Sequence, residues 1–128
     1  MKLKALLTVT ALVELGSGIA LLIAPSLSAQ LLVSVPLDSA QLAVIGRFAG
    51  AALTAIGVIC WLESRIERAD SRAGLLLGLL TYNVAAPAIL AQAKVGAGVQ
   101  GLVLWPAVIL HLILGFWCIA CLRASPAR

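Results

Sequence analysis

Charged residues are scarce in this sequence, and their scarcity excludes an ordinary water-soluble domain. Only 11% of the 128 residues are charged, while 62% are hydrophobic. Soluble domains contain about 25% charged and about 45–50% apolar residues, and a chain of this size buries too small a fraction of its surface to hide such an excess. We therefore predict a single integral membrane domain over residues 1–128, with the lipid bilayer as its main partner.

Residues that commonly bind metals or carry out catalysis are also few. One histidine cannot supply both axial ligands of a haem within a protomer. The sequence contains no HExxH motif, Ser-His-Asp combination or paired carboxylates. We therefore predict no metal site, identify no cofactor and lean against an enzyme. Cys118 and Cys121 form a CxxC motif, but it falls near the predicted cytoplasmic side, where disulfides rarely persist, so reduced and buried thiols are expected.

The sequence contains long apolar runs with few or no charged residues. Residues 73–93 and 95–122 contain no Asp, Glu, Lys or Arg, and a spanning helix needs about 20 mostly apolar residues. Two further runs of this length carry one charge each, Glu14 and Arg47, which their Leu, Ile and Val residues can offset. We predict an all-α, four-transmembrane-helix bundle with helices at about 3–24, 40–62, 73–93 and 100–122.

The first span and the connection after it have sequence features of their own. We expect the first span to be retained, because it is longer than the apolar part of a signal peptide, about 7–15 residues, and contains Glu14. In the connection that follows, Pro25 and Pro36 enclose a leucine-rich stretch. This pattern predicts a short interfacial helical turn.

The basic residues orient the predicted bundle. Seven of them fall at the N-terminus, in the second connection and in the C-terminal tail: Lys2, Lys4, Arg65, Arg68, Arg72, Arg123 and Arg128. The opposite side has only Lys94. The positive-inside rule therefore predicts a multi-pass membrane protein with both termini cytoplasmic. Because the basic residues are divided among three juxtamembrane sites, the net charge of +4 requires no nucleic-acid partner.

Each predicted span contributes a polar or ionisable residue. Those of the first two spans lie on faces of small residues, which mark helix–helix contacts in membranes; Gly46–Gly50 and Gly74–Gly78 are further small-residue pairs at the same spacing. At about 1.5 Å per residue, most of these polar groups lie near the membrane midplane. The predicted ligand-binding residues are Glu14, Arg47, Tyr82, Asn83 and His111.

Three interpretations of this cluster stay open, and in the simplest of them Arg47 snorkels towards the outer end of its helix, so that no cluster forms. In the structural one, Glu14 and Arg47 neutralise each other and fix helix register, as in an accessory or assembly subunit of a larger membrane complex. In the functional one, the cluster holds the polar head of a quinone, isoprenoid or lipid, or relays protons. Glu14 would then accept a hydrogen bond and Arg47 hold an anionic or carbonyl group, while a catalytic version would use Glu14 or His111 as proton donor. Under the structural and the functional interpretation alike, Glu14 and Arg47 should be energetically coupled, either directly or through one bound polar group.

Two segments, "LLTYNVAAPAIL" (79–90) and "GLVLWPAVILHLILGFW" (101–117), complete the pattern. With four spans of this length and a polar residue in the first, the whole chain resembles small four-span bacterial inner-membrane proteins, including DoxX-like ones. The resemblance implies the bacterial inner membrane as the location and a redox or accessory role there. A homo-oligomer and a larger membrane complex both stay open as assemblies. It assigns no catalytic residue.

Overall fold

The computed structural model describes residues 2–66 and 72–124. These residues form five α-helices and no strands: α1 (Lys2–Ile23), α2 (Pro25–Val33), α3 (Ala40–Ser64), α4 (Ala73–Ala97) and α5 (Leu104–Ala124). All except α2 are long and apolar enough to cross a membrane. The all-α prediction with four spans is therefore confirmed. The helix bounds differ from the predicted ones by a few residues, since α4 extends to Ala97 and α5 begins at Leu104.

Local sequence signals explain where the helices begin and end. Pro25 occupies the first turn of α2, where its missing N–H costs nothing, so the predicted interfacial turn is a nine-residue helix. The hydroxyl of Ser39 caps α3 by accepting a hydrogen bond from the Leu42 N–H at 3.2 Å. Gly98 ends α4 in the left-handed conformation, with φ of 64°.

The four long helices are arranged as two close pairs, α1 with α3 and α4 with α5. Glycines allow α1 and α3 to approach at backbone distance. A Cβ atom built on Gly18 would lie 2.5 Å from Oγ1 of Thr54, and one on Gly57 would lie 2.7 Å from Cγ of Leu15. The pair is antiparallel, so residues towards the end of α1 lie opposite residues towards the start of α3.

The main hydrophobic core lies in the half of the bundle that contains the start of α1 and the end of α5. It consists of buried leucines, an alanine and the three cysteines: Leu6, Leu7, Ala11, Cys60, Leu76, Leu79, Leu114, Cys118 and Cys121. The cysteines form no disulfide among the described residues. The predicted polar cluster lies directly beyond this core, towards the middle of the helices.

Candidate functional site

Glu14 is the most unusual buried residue of the protein. It is the thirteenth of the 22 residues of α1, and only 1% of its surface is exposed. Among the described residues, neither carboxyl oxygen has a hydrogen-bond partner and no cation pairs with it. Burial of a polar group without a partner is costly, and burial of an unpaired ionised carboxylate is far more so. Such a group in a membrane span is a candidate binding group.

Thr10 is a second buried polar group without a partner, one turn before Glu14 on the same face of α1. Every other Ser or Thr hydroxyl in the described parts of the four long helices donates to a carbonyl of its own helix: Thr8, Ser17, Thr54, Ser64 and Thr81. Such local bonds normally satisfy a hydroxyl in a helix. Two neighbouring polar groups on α1 therefore face the bundle interior unsatisfied.

Tyr82 of α4 is the polar side chain that reaches Glu14. Its hydroxyl group interacts with the Glu14 carboxyl group, although the two do not meet the geometry of a formed hydrogen bond. The two polar groups therefore lie close together without a formed hydrogen bond. Because α1 and α4 do not touch along their backbones, only a long side chain such as tyrosine can connect them.

Asn83 and His111 form the second half of the cluster, between α4 and α5. The Asn83 amide nitrogen donates to the Leu79 carbonyl at 2.8 Å, and its oxygen lies 3.0 Å from Nδ1 of His111. A carbonyl can only accept, so the amide orientation is fixed and Nδ1 of His111 must be the donor. The His111 ring also packs edge-on against Tyr82, with ring centroids 5.2 Å apart. The pair thereby holds the Tyr82 ring in position.

Two local features mark the contact between α4 and α5 at Asn83, a proline in α4 and a glycine in α5. Pro87, four residues later, lacks the N–H that would bond the Asn83 carbonyl within the helix. Gly115 of α5 lies against this position: a Cβ atom on it would be 3.7 Å from the Asn83 carbonyl oxygen. The contact between α4 and α5 therefore combines a close approach at Gly115 with the polar pair of Asn83 and His111.

Arg47 lies apart from the other four predicted site residues, so the direct form of its predicted coupling with Glu14 is wrong. Its side chain is exposed, and its Nε donates to the Leu22 carbonyl at 3.3 Å. The antiparallel register is the reason. Leu15 lies opposite Gly57 and Leu22 lies opposite Gly50, so Arg47 and Glu14 are separated by about 16 Å along the helix axes.

A groove between α3 and α4 leads to Tyr82. No Cα atom of α3 lies within 8 Å of a Cα atom of α4, and the space between them has a volume of about 310 Å³. Its walls are Ile56 and Ile59 of α3 and five residues of α4 between Gly74 and Tyr82. All are apolar except Tyr82, so the groove suits a hydrocarbon chain.

Gly74 and Gly78 keep this groove open. A Cβ atom on either glycine would meet nothing within 4 Å. The prediction that this small-residue pair marks a helix contact is therefore wrong, whereas Gly46 and Gly50 do lie against neighbouring segments. Sequence reasoning missed the groove and the unpaired hydroxyl of Thr10. The position of Thr10 one turn from Glu14 was the available signal for the latter.

The fold is a helical bundle with four helices long and apolar enough to span a membrane, in which Glu14 and Thr10 are buried without partners among the described residues and an apolar groove leads to Tyr82. No protein-family model matches the chain, and neither a curated protein nor a solved structure does so. The resemblance to DoxX-like proteins stays a prediction. Within the part of the chain that the structure describes, no group of three or more His, Cys, Asp or Glu residues could hold a metal ion.

Proposed function

We propose that the protein binds a small amphiphile that enters from the bilayer. The polar head lies at Tyr82 and Glu14, and the apolar chain occupies the groove between α3 and α4. The observation that carries the proposal is the burial of the Glu14 carboxyl group without a partner among the described residues, in contact with a side chain that lines the groove. Candidate ligands are a quinone, an isoprenoid or another lipid-like molecule.

The size and lining of the groove support this proposal. Small-molecule sites are commonly about 300–1,000 Å³, mostly apolar, with a few polar groups that fix orientation. The groove, at about 310 Å³, fits the lower end of that range, and its one polar side chain lies at its end. Asn83 and His111 hold that side chain in place and need not touch the ligand.

Filling the groove should remove the ligand without unfolding the protein. A leucine at Gly78 would project into the space that the chain of the ligand needs, and its Cβ atom would meet nothing within 4 Å. We expect native mass spectrometry of gently solubilised protein to show a bound small molecule on the wild type. On the Gly78→Leu variant, its occupancy should fall at least about tenfold, which corresponds to about 1.4 kcal/mol.

The matched control is Gly16→Leu, because a Cβ atom on Gly16 also meets nothing within 4 Å. That variant makes the same chemical change in α1, outside the groove, and should keep the bound molecule. Equal retention by both variants, or no bound molecule on the wild type, would reject the groove as a binding site. The accessory-subunit interpretation would then be the better one.

We also propose that both termini are cytoplasmic in the inner membrane of a bacterium. The support is the concentration of basic residues at one end of the bundle, near the start of α1 and α4 and the end of α3 and α5. Reporter fusions after Ser34 and after Gly98 should show periplasmic activity, and a fusion at the C-terminus should show cytoplasmic activity. The opposite pattern would invert the orientation.

A further inference from the structure

Arg47 carries a positive charge that no acidic residue in the described part of the chain balances. Its exposed side chain makes one hydrogen bond, from Nε to the neutral carbonyl of Leu22 at 3.3 Å. Among the described residues, the one ion pair joins Arg72 to Glu63, towards the other end of α3. Asp38, nine residues before Arg47, does not pair with it. The Leu22 carbonyl therefore holds the guanidinium group in place, while its charge and its two terminal nitrogens face outwards.

The register of α1 and α3 places this charge at the edge of the hydrocarbon region. Leu22 lies 18 residues after Lys4 in α1, which is about 27 Å along the helix axis. The hydrocarbon core of a bilayer is about 30 Å thick, so a bilayer with Lys4 at one surface has Leu22 close to the other. The seven residues of α3 before Arg47 extend about 10 Å further. Arg47, beside Leu22, thus lies at the level of the lipid head groups.

The short helix α2 supports the same depth. A Cβ atom on Gly46, the residue before the arginine, would lie 3.1 Å from Cβ of Pro25, the first residue of α2. The Val103 N–H donates to the Leu31 carbonyl at 3.1 Å, which joins α2 to the start of α5. Trp105 follows there and is exposed. Because tryptophan is enriched at membrane–water interfaces, the α2 end of the bundle and the arginine beside it belong to that level.

The surroundings of Arg47 suit a phospholipid. Large apolar side chains next to it in sequence or beside its partner Leu22 are exposed, including Phe48 and Ile23, and can lie against acyl chains. A guanidinium group presents a planar fork of N–H donors that matches the oxygens of a phosphate. The phosphate of a zwitterionic lipid already has an ammonium group of its own, whereas that of an anionic lipid lacks a compensating cation.

We infer that Arg47 binds the phosphate of an anionic phospholipid in the leaflet on the α2 side of the bundle. Nε keeps its bond to the Leu22 carbonyl, and the terminal nitrogens donate to the phosphate oxygens. The site lies outside the groove and about 16 Å from Glu14 along the helix axes. The inference therefore goes beyond the proposed function and does not depend on it.

The test uses photoreactive phosphatidylglycerol and phosphatidylcholine that share the same acyl chains, with a diazirine close to the glycerol backbone. Each is incorporated at the same mole fraction into phosphatidylcholine vesicles that contain the protein, and labelled peptides are identified by mass spectrometry. In the wild type, phosphatidylglycerol should label residues 43–51 at least about fivefold more than phosphatidylcholine, which corresponds to about 1 kcal/mol. Arg47→Gln should bring this ratio close to one and leave labelling by phosphatidylcholine unchanged.

Arg123→Gln is the matched control, because it removes an exposed arginine at the opposite end of the bundle and should keep the wild-type ratio at residues 43–51. An excess of inorganic phosphate should not reduce labelling by phosphatidylglycerol; if it does, the site binds free phosphate and the lipid inference is wrong. A wild-type ratio near one, or a ratio that Arg47→Gln keeps, would equally overturn it. Absence of label from both lipids would mean that protein covers Arg47, against the inference.

Discussion

Replacing Gly18 with leucine should separate α1 from α3 and lower the free energy of unfolding by about 3 kcal/mol or more. A Cβ atom at this position would lie 2.5 Å from Oγ1 of Thr54, 2.6 Å from the Thr54 nitrogen and 2.8 Å from the Gly50 oxygen. Two of these three atoms belong to the backbone of α3, so no side-chain rotation can relieve the clash. The helices would have to move apart along their closest contact.

Gly16→Leu is again the matched control, since it adds the same side chain to the same helix where no neighbour lies within 4 Å. Reversible unfolding in mixed detergent micelles should show a large loss of stability for Gly18→Leu and a change of less than about 1 kcal/mol for Gly16→Leu. Similar losses for both variants would mean that leucine in α1 is harmful wherever it is placed, and would remove support for the close α1–α3 contact.

Sequence was sufficient to predict the spans because hydrophobic length is a property of each segment alone. The four long helices follow the charge-free or nearly charge-free runs, and Pro25 and Ser39 mark helix starts that the residues themselves favour. The burial of Glu14 was equally predictable, because a carboxylate among small residues on one face of a span has to face the bundle.

The partner of Glu14 was not predictable, because it depends on helix register. Glu14 and Arg47 both lie on small-residue faces of adjacent helices, a pattern that predicts coupling, either directly or through one bound polar group. The packing of Leu15 against Gly57 sets the relative heights of these helices and places Arg47 beside Leu22. Nothing in either segment alone indicates which glycine lies opposite which side chain.

The groove could not be predicted from the sequence either, because it also depends on how the helices pack against one another. Gly46–Gly50 and Gly74–Gly78 have the same spacing, yet the first pair lies against neighbouring segments and the second faces open space. A small-residue stripe shows that a close approach is allowed, and the tertiary arrangement decides whether it happens. Here α4 packs on α5 and not on α3, so its glycines leave space for something other than a helix.

Replacing Glu14 with methionine should stabilise the protein after delipidation, by about 1–3 kcal/mol, while abolishing ligand retention. The reason is that the carboxyl oxygens are buried without a hydrogen-bond partner among the described residues, and removal of an unsatisfied polar group recovers its desolvation cost. A side chain that only holds the bundle together predicts the opposite sign, since loss of one member of a buried pair typically costs about 3–5 kcal/mol. The direction of the stability change thus distinguishes a binding group from a structural one.

Two further variants make this sign decisive. Glu63→Met removes a carboxylate that pairs with Arg72 at 3.4 Å near the end of α3, and it should destabilise by no more than about 1 kcal/mol. Arg47→Met should combine additively with Glu14→Met, because the register holds the two side chains apart and they share no partner. Destabilisation by Glu14→Met, or a double variant that recovers what the single variants lose, would restore the direct pair and make Glu14 a structural residue. A stabilised Glu14→Met protein that no longer retains the amphiphile means that the wild type keeps this carboxyl group for binding, at the expense of stability.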